Sequence, residues 1–136
     1  MTWQAISEGA RGIIFYCFHG MFKFADETTR AKLWGDVVAV TREVKRFEDV
    51  LLSVEPAPEV VGAPPGLSVR MWRRGDKVYL FAVNTTRNPL SAEFGISGVT
   101  GVAATELGSG VSVPSTGRVR VELPPIGLAM ARVRCL

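Results

Sequence analysis

Apolar residues recur in three rhythms along this chain, and the changes of rhythm divide it. Gly12-Ile13-Ile14-Phe15-Tyr16-Cys17-Phe18 is a near-continuous apolar run, rich in β-branched and aromatic residues, bounded by Arg11 and by His19-Gly20. Such a run predicts a strand over 12–18 buried on both faces, as in a parallel sheet. Residues 2–9 before it read as the end of a helix, with Gly9 as its stop, because glycine accepts the left-handed conformation common there. After a loop over 19–28 the step becomes three and four. Leu33, Val37, Val40, Val44, Phe47 and Leu51 then share one stripe of a helix of about six turns, widened by Ala31, Trp34 and Val38. Arg30, Lys32, Asp36, Arg42, Lys45, Arg46 and Glu48 occupy its other face. Asp26 or Thr28 can cap it with a side-chain oxygen. Gly35 weakens it locally by ~1 kcal/mol against alanine.

Pro56, Pro58, Pro64 and Pro65, with Gly62 and Gly66, end the helical rhythm and mark 53–66 as a linker. The period then becomes two. Ser68 to Trp72 alternates, Arg74-Gly75-Asp76 is a tight turn, and Lys77 to Val83 is a strand that pairs back as a hairpin. Asn84 to Asn88 turns, and Leu90 to Phe94 is a further strand. Gly-rich stretches separate strands near 99–106, 110–113, 117–123 and 127–134. Short strands at this spacing predict an antiparallel β-sandwich. The whole reads as α+β: a strand and a long helix, then the sandwich. A parallel strand needs parallel neighbours, and the sequence holds no others, so the first third reads as the tail of a larger domain. Alternatively strand 12–18 adds to the sandwich and the helix packs across it.

The 136 residues suit one domain or two small pieces, and 47% hydrophobic with 21% charged residues excludes a disordered chain. Charge is uneven. Residues 1–66 carry seven Lys/Arg against nine Asp/Glu, a net −2, and residues 67–136 carry nine against four, a net +5. Most basic residues of the second part stand singly, as in Arg118-Val119-Arg120 and Arg132-Val133-Arg134. That is the wet face of a half-buried sheet, not a nucleic-acid surface. No run approaches the ~18 apolar residues of a membrane span and no signal peptide opens the chain, so no membrane partner is expected and the compartment is cytoplasmic by default. Cys17 and Cys135, with the single histidine His19, supply neither a disulfide framework nor metal spacing, so no metal or other cofactor is expected. Cys17 and His19 would share a strand face, but no third group orients them as a catalytic pair. Asn84-Thr85-Thr86 is a glycosylation pattern that reads more simply as a strand-end turn.

Ala5-Ile6-Ser7-Glu8-Gly9-Ala10-Arg11-Gly12-Ile13-Ile14-Phe15-Tyr16 resembles the last helix-to-strand passage of (β/α)8-barrel glycoside hydrolases. The helix with Leu33-Trp34 and Glu43-Val44 looks like their final barrel helix. Val78-Tyr79-Leu80-Phe81-Ala82-Val83-Asn84-Thr85-Thr86 and Leu123-Pro124-Pro125-Ile126-Gly127-Leu128-Ala129-Met130 resemble strands of the β-sandwich that follows such barrels. The resemblance implies three parts: 1–55 as the terminal βα unit of a barrel, 56–66 as a linker and 67–136 as the sandwich. It implies a C-terminal segment of a glycoside hydrolase-like protein, with the missing barrel or a second copy as partner and carbohydrate as the ligand.

Barrel active sites lie at the C-terminal ends of the strands, so Tyr16, Phe18 and His19 would border a sugar site, the rings as platforms and the imidazole as a hydrogen-bonding group. Phe15 and Phe18 also suit a core. Glycoside hydrolysis takes two carboxylates, which in the resembling enzymes come from middle strands. Glu8 lies at the wrong end, and helix capping accounts for Asp26 and Glu27, so no catalytic residue is assigned and the chain alone is expected to be inactive. The alternative is a non-catalytic carbohydrate-binding or protein-interaction sandwich module, with Trp72, Tyr79 and Phe81 as candidate platforms.

Overall fold

A computed structural model describes residues 1–16, 19, 20, 23, 25–98, 102–107, 110–112 and 118–135. Within them the chain is α+β, with two antiparallel sheets and few helices. Helix α1, Thr2–Ser7, ends as its sequence predicts: Gly9 adopts φ +107, and the amides of Gly9 and Ala10 donate to the carbonyls of Ile6 and Ala5. That is the paired closure of a glycine-terminated helix. Helix α2, Glu27–Lys45, starts at Asp26, whose carboxylate accepts from the Thr29 amide at 2.9 Å and from the Thr29 hydroxyl at 2.6 Å.

The helical stripe predicts one helix to Leu51, but the helix breaks. Arg46 and Phe47 form a turn, and a separate short helix α3 follows over Glu48–Leu51. Tertiary packing overrides the rhythm here. Phe47 sets its ring edge-on to both Trp3 and Phe81, at 6.1 and 5.2 Å, and the new helix direction buries Val50 and Leu51 in the same cluster. The strand predicted over 12–18 is not formed in its described part. Residues 12–16 have no strand pairing, and Ile14 and Tyr16 are 94% and 96% exposed. Both readings of that segment, as a buried strand and as an added strand of the sandwich, are therefore corrected: the backbone is not paired, and only Ile13 is half-buried, against the Trp3–Phe81 cluster, while Ile14, Phe15 and Tyr16 are exposed. Cys17 and Phe18 lie outside the described residues.

Eight strands follow: β1 Val60–Val61, β2 Leu67–Arg74, β3 Lys77–Asn84, β4 Leu90–Ile96, β5 Val102–Leu107, β6 Val111–Ser112, β7 Val119–Leu123 and β8 Leu128–Cys135. One sheet runs β1-β4-β7-β6 and the other β2-β3-β8-β5. The β2–β3 hairpin turns at Gly75-Asp76, with Arg74 paired to Lys77 and Gly75 at φ +62, the first loop position that a tight two-residue hairpin gives to glycine. Strand β1 lies inside the segment expected to be linker, where it pairs with Ile96 and Gly95. Two valines among prolines carry too short a pattern to be read as a strand.

Inward side chains of both sheets make one core: Leu80, Ala82 and Val133 from one, Phe94, Val119 and Val121 from the other. The β1-β4-β7-β6 sheet alternates, and β7 shows it residue by residue, with Val119, Val121 and Leu123 buried while Arg120 and Glu122 are exposed. Arg120 meets its cross-strand partner Glu93 at 3.0 Å on the wet face. The other sheet is covered twice. Behind Val78, Leu80 and Ala82 its second face carries Trp72, Phe81 and Val83 against Trp3 and Ile6 of α1 and Val50 and Leu51 of α3.

Candidate functional site

What the N-terminal layer covers is fixed by aromatic contacts and a few polar ties. Phe81 is wholly buried, stacked on Trp3 at 5.3 Å and meeting Trp72 edge-on at 5.3 Å. Indole Nε1 of Trp3 donates to Glu43 of α2 at 2.8 Å, so α2 is tied to α1 near its C-terminal end. Ser7 and Ser68 hydroxyls meet at 2.7 Å, and Ser68 donates to the Glu8 carboxylate at 2.6 Å, which locks the end of α1 to β2. Glu8 is thus a structural acid. Gly9 lies under the Arg70 guanidinium, where a Cβ would come within 2.5 Å of a guanidinium nitrogen.

Burial along α2 is graded. Leu51 just beyond it is buried, Val44 and Val40 are half-buried, and Leu33 and Trp34 are exposed. At that open end lies a groove of about 980 Å³ between α1, residues 13–16, the first turns of α2 and the Val83/Leu128 end of the sheet. Ten large apolar side chains are exposed among the described residues, and seven of them line this groove, with Tyr16, Trp34 and Ile126 on its rim. Asp36 is the acidic side chain among its lining residues.

Of the residues implied as a sugar site, Tyr16 lines the groove, His19 is exposed and is not among the groove residues, and Phe18 is outside the described residues. Asp26 caps α2, and its two bonds from Thr29, the hydroxyl first and then the amide, hold its carboxyl below the usual carboxylate range. The three aromatics of β2 and β3 considered as sugar platforms face the N-terminal layer. Trp72 and Phe81 are buried and Tyr79 is half-buried, so the first two have no face to offer a ligand. Among the described residues no cluster of His, Cys, Asp or Glu could hold a metal, and no helix is long and apolar enough to cross a membrane.

Two features of the groove edge carry weak signals in the sequence. Ile126 is one apolar residue between Pro124-Pro125 and Gly127, and it takes φ +53, rare for a β-branched residue. Asn84 is fully buried. Its amide nitrogen donates to the carbonyls of Asn88 and Pro124 at 2.7 and 2.9 Å, and its oxygen accepts from the Thr86 amide and hydroxyl at 2.9 and 2.8 Å. The Asn-Thr-Thr pattern is therefore a strand-end turn, and its asparagine is enclosed.

No protein-family model and no curated protein sequence matches the chain. Among solved structures it is similar to a glycoside hydrolase family 30 subfamily 8 xylanase from Clostridium acetobutylicum, with a TM-score of 0.42 and 16% identity over 66% of this chain and 26% of that one. It is also similar to a family 30 endoxylanase from Clostridium papyrosolvens C71, with a TM-score of 0.39 and 15% identity over 61% of this chain and 25% of that one. The chain thus matches about a quarter of each xylanase.

Proposed function

We propose that this chain is the C-terminal segment of a glycoside hydrolase-like protein of carbohydrate metabolism. In this reading residues 1–55 are the terminal βα unit of a (β/α)8 barrel, 56–66 connect it onward, and 67–136 form a β-sandwich in a structural or accessory role. The observation that carries the reading is the segment before α2. Residues 13–16 are apolar at every position, and Ile14, Phe15 and Tyr16 are exposed, as are Leu33 and Trp34 near the start of α2. A strand with two apolar faces suits the interior of a parallel sheet. The order of motifs, from Gly9-Ala10-Arg11-Gly12-Ile13 to Pro125-Ile126-Gly127, resembles the closing passage of such a barrel and its sandwich.

The chain is not itself the catalyst in this reading, because the two carboxylates of glycoside hydrolysis belong to strands it does not hold. Tyr16, Phe18 and His19 border the sugar site of the complete protein. The test is release of chromophore from a panel of aryl glycosides. The chain alone turns over none of them, and turnover abolished by Asp26→Asn or Glu27→Gln would overturn the proposal.

A further inference from the structure

We infer that the open edge of β2 is a docking slot for an extended peptide of a partner protein, which adds a strand to the β2-β3-β8-β5 sheet and sets an acidic side chain against Arg11 and Arg70. Strand β2 is an outer strand of that sheet. A slot of about 460 Å³ runs along it, within the roughly 300–1,000 Å³ of ligand clefts. Val69, Arg70, Met71 and Trp72 line one wall, and residues 55 and 57–60 line much of the other. Val69 and Met71 point into the core between the sheets, and Arg70 and Trp72 toward the N-terminal layer, so only the strand's edge touches all four.

The register decides which backbone groups reach the slot. Arg74 and Lys77 close the two-residue hairpin as a hydrogen-bonded pair, and bonded and non-bonded pairs alternate from there. Val69, Met71 and Arg73 fall in the non-bonded pairs, so their N–H and C=O groups point away from β3. The Leu67 amide shares that phase and donates outward, to the Pro64 carbonyl at 3.2 Å. Among the described residues, no backbone group of the chain pairs with the outward groups of Val69, Met71 and Arg73. Met71 is only 5% exposed, so its outward groups open on the slot and not on bulk water. Buried peptide groups are almost always paired, and a strand laid alongside brings a donor and an acceptor at this spacing.

The facing wall is anchored elsewhere. Pro56 and Pro58 carry no N–H, and the segment is held near its ends instead. The Glu55 carboxylate accepts from the Gly75 amide at 3.0 and 3.1 Å, and the Glu59 carbonyl accepts from the Ser97 amide at 2.8 Å. Charge then sets the chemistry of the peptide. Arg70 lies over the Trp72 ring at 5.6 Å, and neither it nor the exposed Arg11 has a carboxylate partner among the described residues. Glu55 is already engaged by the Gly75 amide and lies 3.9 Å from Arg74, while Glu59 repels an acid placed on its own side. An acidic side chain opposite Arg70 therefore meets guanidinium groups. Its two neighbours in the peptide fall on the alternation of Val69 and Met71, where apolar side chains fit.

The test titrates the full chain into a fluorescein-labelled hexapeptide that alternates valine and aspartate, and follows its anisotropy. Saturable binding is expected, with the Met71 amide among the largest shifts in the nuclear magnetic resonance spectrum. The same peptide with its backbone amides N-methylated cannot complete the ladder and should bind about tenfold more weakly, the size of a lost hydrogen bond. Arg70→Glu and Arg11→Glu should each weaken the aspartate peptide severalfold and favour one that alternates valine and lysine. Arg11 is exposed, so its variant keeps the parent's Tm and separates lost charge from lost folding. No saturable binding up to about 1 mM overturns the inference, as does equal binding of the N-methylated peptide or a Met71 amide that does not move. Binding that both glutamate variants leave unchanged overturns the assignment of the acidic side chain. Cellohexaose that shifts the Met71 amide where the peptides do not overturns it in favour of a carbohydrate slot.

Discussion

Two apolar runs in this chain carry the same sequence signal and meet different fates. Val78 to Val83 and Ile13 to Tyr16 are both unbroken, both mix β-branched with aromatic residues, and both predict a strand. The first is covered twice, Leu80 by the opposite sheet and Phe81 by α1 and α3. The second is left largely uncovered: Ile13 is half-buried against the Trp3–Phe81 cluster, and Ile14 and Tyr16 stand in water. Apolar periodicity therefore states how many faces an element is built to bury and not which body buries them. For the first run the cover is in the chain. For the second, our proposal places it in a neighbouring domain.

The largest break in this comparison comes from Phe81. If α1 and α3 cover β3 as a true second core, Phe81→Ala lowers the unfolding free energy by about 3–5 kcal/mol, as much as Phe94→Ala in the core between the sheets. A loss under about 1 kcal/mol in urea unfolding would mean that the N-terminal layer only rests on the sheet. Asn84 comes next. Asn84→Ala removes one donor each from the Pro124 and Asn88 carbonyls and the acceptor of the Thr86 amide, and a loss of about 1–3 kcal/mol is expected from the same measurement. Gly35 sharpens the comparison from the uncovered side. A Cβ there meets nothing within 4 Å, so Gly35→Ala raises stability by about 1 kcal/mol through helix propensity. A destabilised Gly35→Ala would show that something already packs on that face.

The smallest effect is local to the start of α2. The folded pKa of Asp26 is depressed by Thr29, so the stability it contributes is complete above the ordinary value of 3.8 and is lost as pH falls through the lower folded value. Asparagine caps without titrating. The parent should therefore lose helical circular dichroism relative to Asp26→Asn only in that acid range, and an equal acid response of the two chains would contradict the capping role.

The sheets were largely legible because their cover is local and regular. Alternation over Val119 to Leu123 named both the buried and the wet face, and Gly75-Asp76 named the hairpin. The caps were legible too, since Asp26 and Gly9 act on backbone groups a few residues away. The break at Phe47 was not, because the apolar stripe runs through it to Leu51 and only the distant rings of Trp3 and Phe81 redirect the chain. Nor was the groove, which gathers Tyr16, Trp34 and Ile126 from three separate segments. Tyr16 was the one of its rim residues that sequence reasoning chose as a site residue, and the inward face of Trp72 and Phe81 became visible only with α1 in place.

Amide hydrogen exchange along α2 tests the central claim most directly, because exchange reports how firmly each turn is held. In the chain alone, amides after Val40, beside the Trp3–Glu43 tie, should exchange many times more slowly than those around Leu33 and Trp34, and the polypeptide encoded upstream of Met1 should slow the latter. Uniform protection from Glu27 to Lys45 in the chain alone would contradict it, for α2 would then have no open end left to cover.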